Sequence, residues 1–123
     1  MLLMSILRKK VDPNWFLPLT AVEFEIMLSL AREDLHGYAI MQEVERRTEG
    51  VTVLRPGTLY RAICRLLESD LIDEVEASSP AEDQRRRCYR LTPLGHRVAV
   101  LEARRLARQI RVARSLKLLR GER

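Results

Sequence analysis

The sequence predicts a mainly α-helical fold with a small β-hairpin and a long helix at its C-terminal end. Apolar residues recur at helical spacing in four segments, whereas two short segments near residues 71–76 and 86–91 alternate apolar with charged residues, as strands do. Proline or a capping residue stands where several of the helical segments begin. A chain of 123 residues, 46% of them hydrophobic, is suited to one domain with a real core.

Residues 1–18 are predicted to form an N-terminal arm, because Pro13 and Pro18 prevent a continuous helix there. The large apolar residues of the arm, Trp15 and Phe16, are expected to pack on the body of the protein or on a partner subunit. The apolar run at the start is too short for a signal peptide, and no stretch approaches the ~18 apolar residues that span a bilayer. The chain is therefore predicted to have no membrane partner and to be cytoplasmic.

Two helices are predicted to follow the arm. The first begins at Thr20, which together with Glu23 three residues later matches the capping box. Its apolar residues cover more than one face, which indicates burial on several sides. The second helix begins at Gly37, and Gly50 is predicted to close it.

The stretch RPGTLYRAICRLLES predicts a third helix, Pro56–Ser69. Proline suits the first turn because its missing N–H would have no partner there. One apolar stripe runs along this helix and consists of Leu59, Ile63, Leu66 and Leu67.

The segments LIDEVEA and RRRCYRL are predicted to be two strands of a hairpin, and Thr92 and Pro93 then begin a long terminal helix. Small and apolar residues recur along that helix at the spacing of a coiled-coil seam. Because this small domain offers no obvious surface for such a seam, we expect the same helix of a second subunit to pack against it, which makes a homodimer. The predicted seam is Ala99, Ala103, Leu106, Ile110 and Ala113.

The order of helix, helix, helix, hairpin and helix is that of a winged helix-turn-helix, predicted for residues 19–92, with a C-terminal dimerisation helix over residues 93–123. The second helix of such a pair lies in the major groove of double-stranded DNA, where an arginine such as Arg61 can bond both acceptors of a guanine. The alternative is that Tyr60 half-packs and the arginines are only solvated. The residues of the third helix that are predicted to contact DNA are Gly57, Thr58, Tyr60, Arg61 and Arg65.

The hairpin corresponds to the wing, in which Arg85, Arg86 and Arg87 are placed to line a phosphate track or enter a minor groove. Acidic residues in the first strand and in the loop would repel DNA. The alternative is therefore a hairpin whose arginines pair with its own acidic residues. The net charge of +5 is split: residues 12–54 hold eight acidic and three basic residues, and residues 85–123 hold two acidic and thirteen basic ones. That split favours an anionic partner at one end of the molecule.

The sequence contains no motif that indicates catalysis, a cofactor or a metal site. His36 and His96 lie on separate elements without neighbours at metal-ligand spacing, and a Gly-rich phosphate loop and a G-x-S-x-G motif are both missing. His36 is therefore interpreted as a helix-start residue. Cys64 is interpreted as a small packing residue, and Cys88 is placed on the exposed side of the wing.

Three ordered stretches, LHGYAIMQEVERRT, RPGTLYRAICRLLESDLIDE and RRRCYRLTPLGHRV, resemble the PadR family of transcriptional regulators over roughly Leu19–Ala113. The resemblance implies a homodimeric repressor whose C-terminal helices cross at the interface. Its two-fold symmetry implies a pseudo-palindromic operator. It also implies release by a small-molecule effector, for which Trp15 and Phe16 are the candidate ligand surface. The alternative function is a winged-helix protein-interaction adaptor that does not bind DNA.

Overall fold

The structure, a computed structural model, describes residues 11–76 and 87–119. Within these residues a short 3-10 helix, Pro13–Phe16, precedes four α-helices and three short strands. In chain order the elements are α1 (Ala21–Leu30), β1 (Leu35–His36), α2 (Gly37–Arg47), α3 (Pro56–Glu68), β2 (Ile72–Glu76), β3 (Arg87–Leu91) and α4 (Pro93–Ser115). The predicted fold class, a winged helix-turn-helix followed by a C-terminal helix, is confirmed.

The helix starts are set by local hydrogen bonds that the sequence already indicated. The Thr20 hydroxyl accepts the amide N–H of Glu23 at 3.1 Å, and the Glu23 carboxylate accepts the amide N–H of Thr20 at 2.9 Å, so the predicted capping box is confirmed. At the start of α4 the Thr92 hydroxyl accepts the amide N–H of Gly95 at 2.9 Å. These bonds satisfy amide groups that have no partner inside the helix.

The first helix of the helix-turn-helix pair, α2, is capped by a histidine. The Nδ1 atom of His36 accepts the amide N–H of Ala39 at 3.2 Å, which confirms the interpretation of His36 as a helix-start residue. The helix ends at Arg47, three residues before the predicted closing glycine. Gly50 nevertheless has a left-handed φ of 80°, and its amide donates to the carbonyl of Glu45 at 2.8 Å, so it does terminate the helix.

The sheet has three antiparallel strands in the order β1–β3–β2, so the predicted hairpin gains a strand of two residues that the sequence analysis missed. Because β3 is central, Cys88 lies opposite His36 on one side and Val75 on the other. Cys88 is buried, and its placement on an exposed side of the wing was wrong. Tyr89, the next residue, is also buried.

The first half of α4 packs into its own subunit. Leu94, Val98 and Glu102 are each at most 6% exposed. The expectation that the terminal helix finds no surface in its own domain was therefore wrong for this half. The core joins α4 to the other helices and the sheet; its fully buried members include Ile26, Met27, Ile40, Val44, Leu59, Leu66 and Val98.

The two aromatic residues of the arm have different surroundings. The 3-10 helix packs on α4, and Phe16 is partly buried against the core, whereas Trp15 is 80% exposed. Packing on the body is therefore confirmed for Phe16, whereas for Trp15 packing on a partner subunit stays a prediction. The division at residues 18 and 92 stays a prediction. Within residues 11–76 and 87–119, every helix is too short or too polar to cross a bilayer.

Candidate nucleic-acid interface

The helix α3 is buried along one face and open along the other. Its inward side chains, Leu59, Ala62 and Ile63, are at most 2% exposed, which fixes the orientation of the helix in the body. The stripe predicted from the sequence is thus confirmed, with Leu67 partly buried at its edge. The outward side consists of Gly57, Tyr60, Arg61, Cys64, Arg65 and Glu68, all of which are exposed. We call these residues the outer face of α3.

Tyr60 lies across the junction of α2 and α3. Its side chain is 46% exposed, and its ring lies so close to the backbone of Gly37 that a Cβ atom there would be 2.9 Å from Cζ of Tyr60. The ring is therefore half-packed, as the alternative interpretation held, while its remaining half faces solvent beside Arg61. A tyrosine in this position can hold the two helices together and still expose part of its ring on the outer face of α3.

We expect Gly37→Ala to destabilise the fold by about 1–2 kcal/mol, because the added methyl group forces the Tyr60 ring aside. The same substitution in a Tyr60→Ala background should cost much less. Urea unfolding of the wild type, both single variants and the double variant gives the coupling energy between the two positions. An equal cost of Gly37→Ala in both backgrounds would show that Tyr60 does not occupy the space over Gly37.

Arg61 and Gly57 are neighbours at the start of α3. A Cβ atom on Gly57 would lie 3.3 Å from Nη1 of Arg61, so the guanidinium lies over the first turn. No side chain among the described residues caps this helix, whose N-cap position is held by Arg55. The positive end of the helix dipole and the Arg61 guanidinium thus occupy the same exposed end, which favours a negatively charged partner.

The other two predicted residues of α3 lie at its flanks. Thr58 is only partly exposed. The Nε atom of Arg65 lies 3.7 Å from a carboxylate oxygen of Glu23, which belongs to α1. Arg65 is therefore directed toward its own subunit more than Arg61 is.

Sequence reasoning missed two exposed residues, one on this face and one next to it. Cys64 is exposed on α3, and its interpretation as a packing residue was wrong. Its position, four residues after Tyr60 and three after Arg61, is the signal that could have placed it on their face. Tyr38, which follows Gly37 in the chain, is 56% exposed at the start of α2.

The two arginines of β3 are each paired with a carboxylate. The guanidinium of Arg87 donates to Glu74 at 2.9 Å across β2 and β3. Arg90 donates through two nitrogens to Asp34, and this hydrogen bonding raises the pKa of the Arg90 guanidinium. An exposed pair of this kind is worth about 0–1 kcal/mol, so Arg87 can exchange its partner for a phosphate at small cost. Arg85 and Arg86 lie outside the described residues.

Tyr89 lies between the wing and α3. Burial raises the pKa of its phenol, and the negative charge of Glu74 raises it further. Because the phenol stays neutral well above physiological pH, it contributes no charge to the interface. Among the described residues, no cluster of three or more His, Cys, Asp or Glu side chains could hold a metal ion.

The predicted seam on α4 is divided between the body and solvent. Ala99 is partly buried against the subunit's own core, and Leu106 is partly buried as well. Ile110 is 42% exposed and Ala103 is exposed. Ala113 is partly buried. Beyond the body, a shallow groove of about 460 Å³ is lined by Ala113 of the seam together with residues that include Val112, Leu116 and Leu118.

A helix-turn-helix pair, a three-stranded wing and an exposed outer face on the second helix define the class of winged helix-turn-helix proteins. Within this class, a sequence profile of the transcriptional regulator PadR-like family matches residues 26–100. The chain belongs to this family. The members of this family are transcriptional regulators and not enzymes.

Solved structures of similar fold agree with this assignment. A PadR family transcription regulator from Clostridium difficile superposes with a TM-score of 0.69 at 25% identity, over 77% of this chain and 96% of that one. A transcriptional regulator from Clostridium thermocellum has a TM-score of 0.67 at 26% identity, over 76% and 87% of the two chains. Bacillus subtilis PadR, solved in complex with operator DNA, shares the fold with a TM-score of 0.55 at 18% identity, over 65% and 45%.

Two curated relatives have no described activity. An uncharacterised 37.1 kDa protein of transposon TN4556 from Streptomyces fradiae is 37% identical over 83 residues, which are 68% of this chain. An uncharacterised protein from Lysinibacillus sphaericus is 31% identical over 70 residues, or 57% of this chain. The matched regions span 22% and 63% of the lengths of those two proteins.

Proposed function

We propose that this chain is a homodimeric, sequence-specific DNA-binding repressor that reads a pseudo-palindromic operator through α3. The observation that carries the proposal is the outer face of α3, which presents Tyr60 and Arg61 to solvent at an uncapped helix start. A guanidinium on such a face has the reach and the donor pair to bond O6 and N7 of a guanine. That Bacillus subtilis PadR, a protein of the same fold, was solved with operator DNA supports the same partner here.

The proposed dimer forms through the part of α4 that its own body leaves open. Ile110 and Ala103 are exposed at helical spacing, and an apolar side chain such as Ile110 gains from a second copy of the same helix. A two-fold axis through this contact would present two copies of α3 to one duplex. Their half-sites should then lie about one helical turn, ~34 Å, apart.

We expect Arg61→Ala to weaken binding to the preferred duplex by about 1–3 kcal/mol and to relax discrimination at one base pair. The duplex is obtained by selection from random sequences, and affinities are measured by fluorescence anisotropy. Arg46→Ala is the matched control, since Arg46 is exposed on α2 and pairs with Glu43 on the same helix. Equal losses on the preferred and the random duplex would contradict the base-reading role of Arg61.

A protein-interaction adaptor without DNA binding is the second candidate. The pairing of Arg87 with Glu74 and of Arg65 with Glu23 favours it, because both pairs reduce the positive field of this surface. A salt titration separates the two functions. Binding through phosphates should fall on a log–log plot with a slope of about −0.9 for each phosphate neutralised. Undetectable binding to every selected and random duplex would favour the adaptor.

Release by a small-molecule effector is also part of the proposal. Trp15 offers an indole that is 80% exposed, and Phe16 lies beside it on the 3-10 helix that packs on α4. A planar ligand bound to these two side chains would lie next to the contact between the 3-10 helix and α4. Trp15 is the one tryptophan of the 123-residue sequence, so its fluorescence reports such binding directly.

A further inference from the structure

Glu102 is a buried carboxylate in a helix whose arginines are partly or fully exposed. It is 1% exposed, although it lies in a segment rich in arginine. One carboxylate oxygen accepts the amide N–H of Leu19 at 2.8 Å, and the other accepts a hydrogen bond from Nε of Arg105, one turn further along α4. Leu19 is 83 residues away in sequence, so this bond joins the residue before the start of α1 to the terminal helix.

The hydrogen bonds of Glu102 explain a carboxylate at this place. Burying a charge is costly unless hydrogen bonds satisfy it, and removing one partner of a buried pair leaves the other unpaired. The neighbours of Glu102 on the same face, Val98 and Leu94, are apolar and buried, so an apolar side chain at position 102 would fit the same space. It would, however, leave the Leu19 amide and Arg105 without this acceptor.

The residues that follow Leu19 in the chain contact α3. Leu19 precedes Thr20, whose amide N–H is bonded by the Glu23 carboxylate of the capping box. The second oxygen of that carboxylate lies 3.7 Å from Nε of Arg65 on α3. The contacts thus run from α4 through the start of α1 to α3. We call Glu102, Leu19, Thr20, Glu23 and Arg65 the α4–α3 brace.

The brace holds α4 beyond its first turns. Those turns are held by Val98, which is buried in the core, and by Gly95, which lies directly on the carbonyl of Leu71. From Gly95 to Ser115 the helix rises about 30 Å at roughly 1.5 Å per residue. If the helix could pivot at Gly95, a tilt of about 10° would move its far end by about 5 Å, which exceeds the ~3.4 Å spacing of adjacent base pairs.

We propose that Glu102 is a positioning residue that sets the direction of α4 relative to α3, and thereby the half-site spacing that the dimer accepts. This inference rests on the proposed function, because it needs a dimer joined by α4 and two recognition helices on one duplex. Glu102 touches no DNA in this proposal. Its effect is on which duplexes both subunits can bind at once.

The test measures the affinity of full-length protein for the selected duplex and for versions with one or two base pairs inserted or removed at its centre. Each inserted base pair moves one half-site by about 3.4 Å and rotates it by roughly 35°. For the wild type we expect a sharp optimum, with about tenfold or greater loss at one inserted base pair. Such a tenfold loss corresponds to about 1.4 kcal/mol.

Two substitutions separate positioning from packing. Glu102→Met fills the site without an acceptor and should flatten the spacing profile to within about threefold, whereas Glu102→Gln keeps an acceptor for Leu19 and should retain the optimum. A purely structural role would lower the affinity for all spacings equally and leave the profile sharp. If Glu102→Met does not fold, Arg65→Met, which changes an exposed side chain at the other end of the brace, should broaden the profile instead.

The outcomes distinguish the two proposals. If the wild-type protein binds no duplex, that result contradicts both the proposed function and this inference. A wild type with a sharp optimum, together with an equally sharp optimum in Glu102→Met, overturns the inference alone. If Glu102→Met does not fold, a spacing profile of Arg65→Met that is as sharp as that of the wild type also overturns the inference alone. A flattened profile in Glu102→Met and a retained one in Glu102→Gln support it.

Discussion

Replacing Gly95 by alanine should destabilise the protein by about 3 kcal/mol or more, enough to leave a large part of a marginally stable domain unfolded. An added Cβ atom would lie far inside the van der Waals distance of the Leu71 carbonyl oxygen. That oxygen is backbone, and it already accepts the amide N–H of Thr92 at 3.1 Å, so neither partner can move without breaking the start of α4. Urea unfolding followed by circular dichroism measures the loss.

Gly57→Ala is the matched control, since Gly57 also lies in the first turn of a helix that begins with proline. A Cβ atom there would meet only the far end of the Arg61 side chain, which can rotate away. Alanine in a helix is favoured over glycine by up to about 1 kcal/mol, so this variant should be as stable as the wild type or slightly more stable. Similar losses in both variants would mean that Gly95 is not in close contact with Leu71.

The predictable features of this chain are local. Capping at Thr20 and Thr92 depends on residues three positions apart, and the buried stripe of α3 depends on spacing within one helix. The exposure of Tyr60 and Arg61 follows from that stripe, because a helix with one buried face must expose the other. The sequence therefore predicts α3 and most of its outer face.

The features that escaped prediction depend on residues distant in the chain. The two-residue strand β1 exists because Leu35 pairs with Tyr89 in β3, and its own sequence has no strand pattern. Arg65 resembles Arg61 in sequence context, yet Glu23 of α1 draws it toward the flank. Glu102 looks like a solvated residue of a charged helix until Leu19 is brought onto it by the fold.

The terminal helix shows why a seam can be identified without its partner. The spacing from Ala99 to Ala113 predicts a face that packs against another helix, but spacing cannot say whether that helix is its own or another subunit's. In the structure, the first half of α4 packs on its own subunit, because the body covers Leu94, Val98 and Glu102 and partly covers Ala99. The members of the predicted seam that the body leaves exposed are Ala103 and Ile110.

Ile110→Glu should convert the proposed dimer into monomers and lower the affinity for a two-half-site duplex by about 100-fold or more. Ile110 is 42% exposed and lies beyond the part of α4 that the body covers, so the substitution should spare the fold. A glutamate there would be buried against its own copy across a two-fold axis, where like charges repel. The loss in affinity is large because the second half-site is then no longer bound as part of the same complex. Sedimentation velocity measures the first effect and fluorescence anisotropy the second.

Val112→Glu is the control that decides between the two faces of the exposed end of α4. Val112 is 56% exposed and lies roughly 160° around the helix from Ile110, in the shallow apolar groove. If the seam that contains Ile110 is the interface, Val112→Glu should remain dimeric and bind the duplex normally. Monomers from Val112→Glu and dimers from Ile110→Glu would place the interface in the groove. Because both variants add the same charge to the same exposed helix, a difference between them cannot arise from net charge.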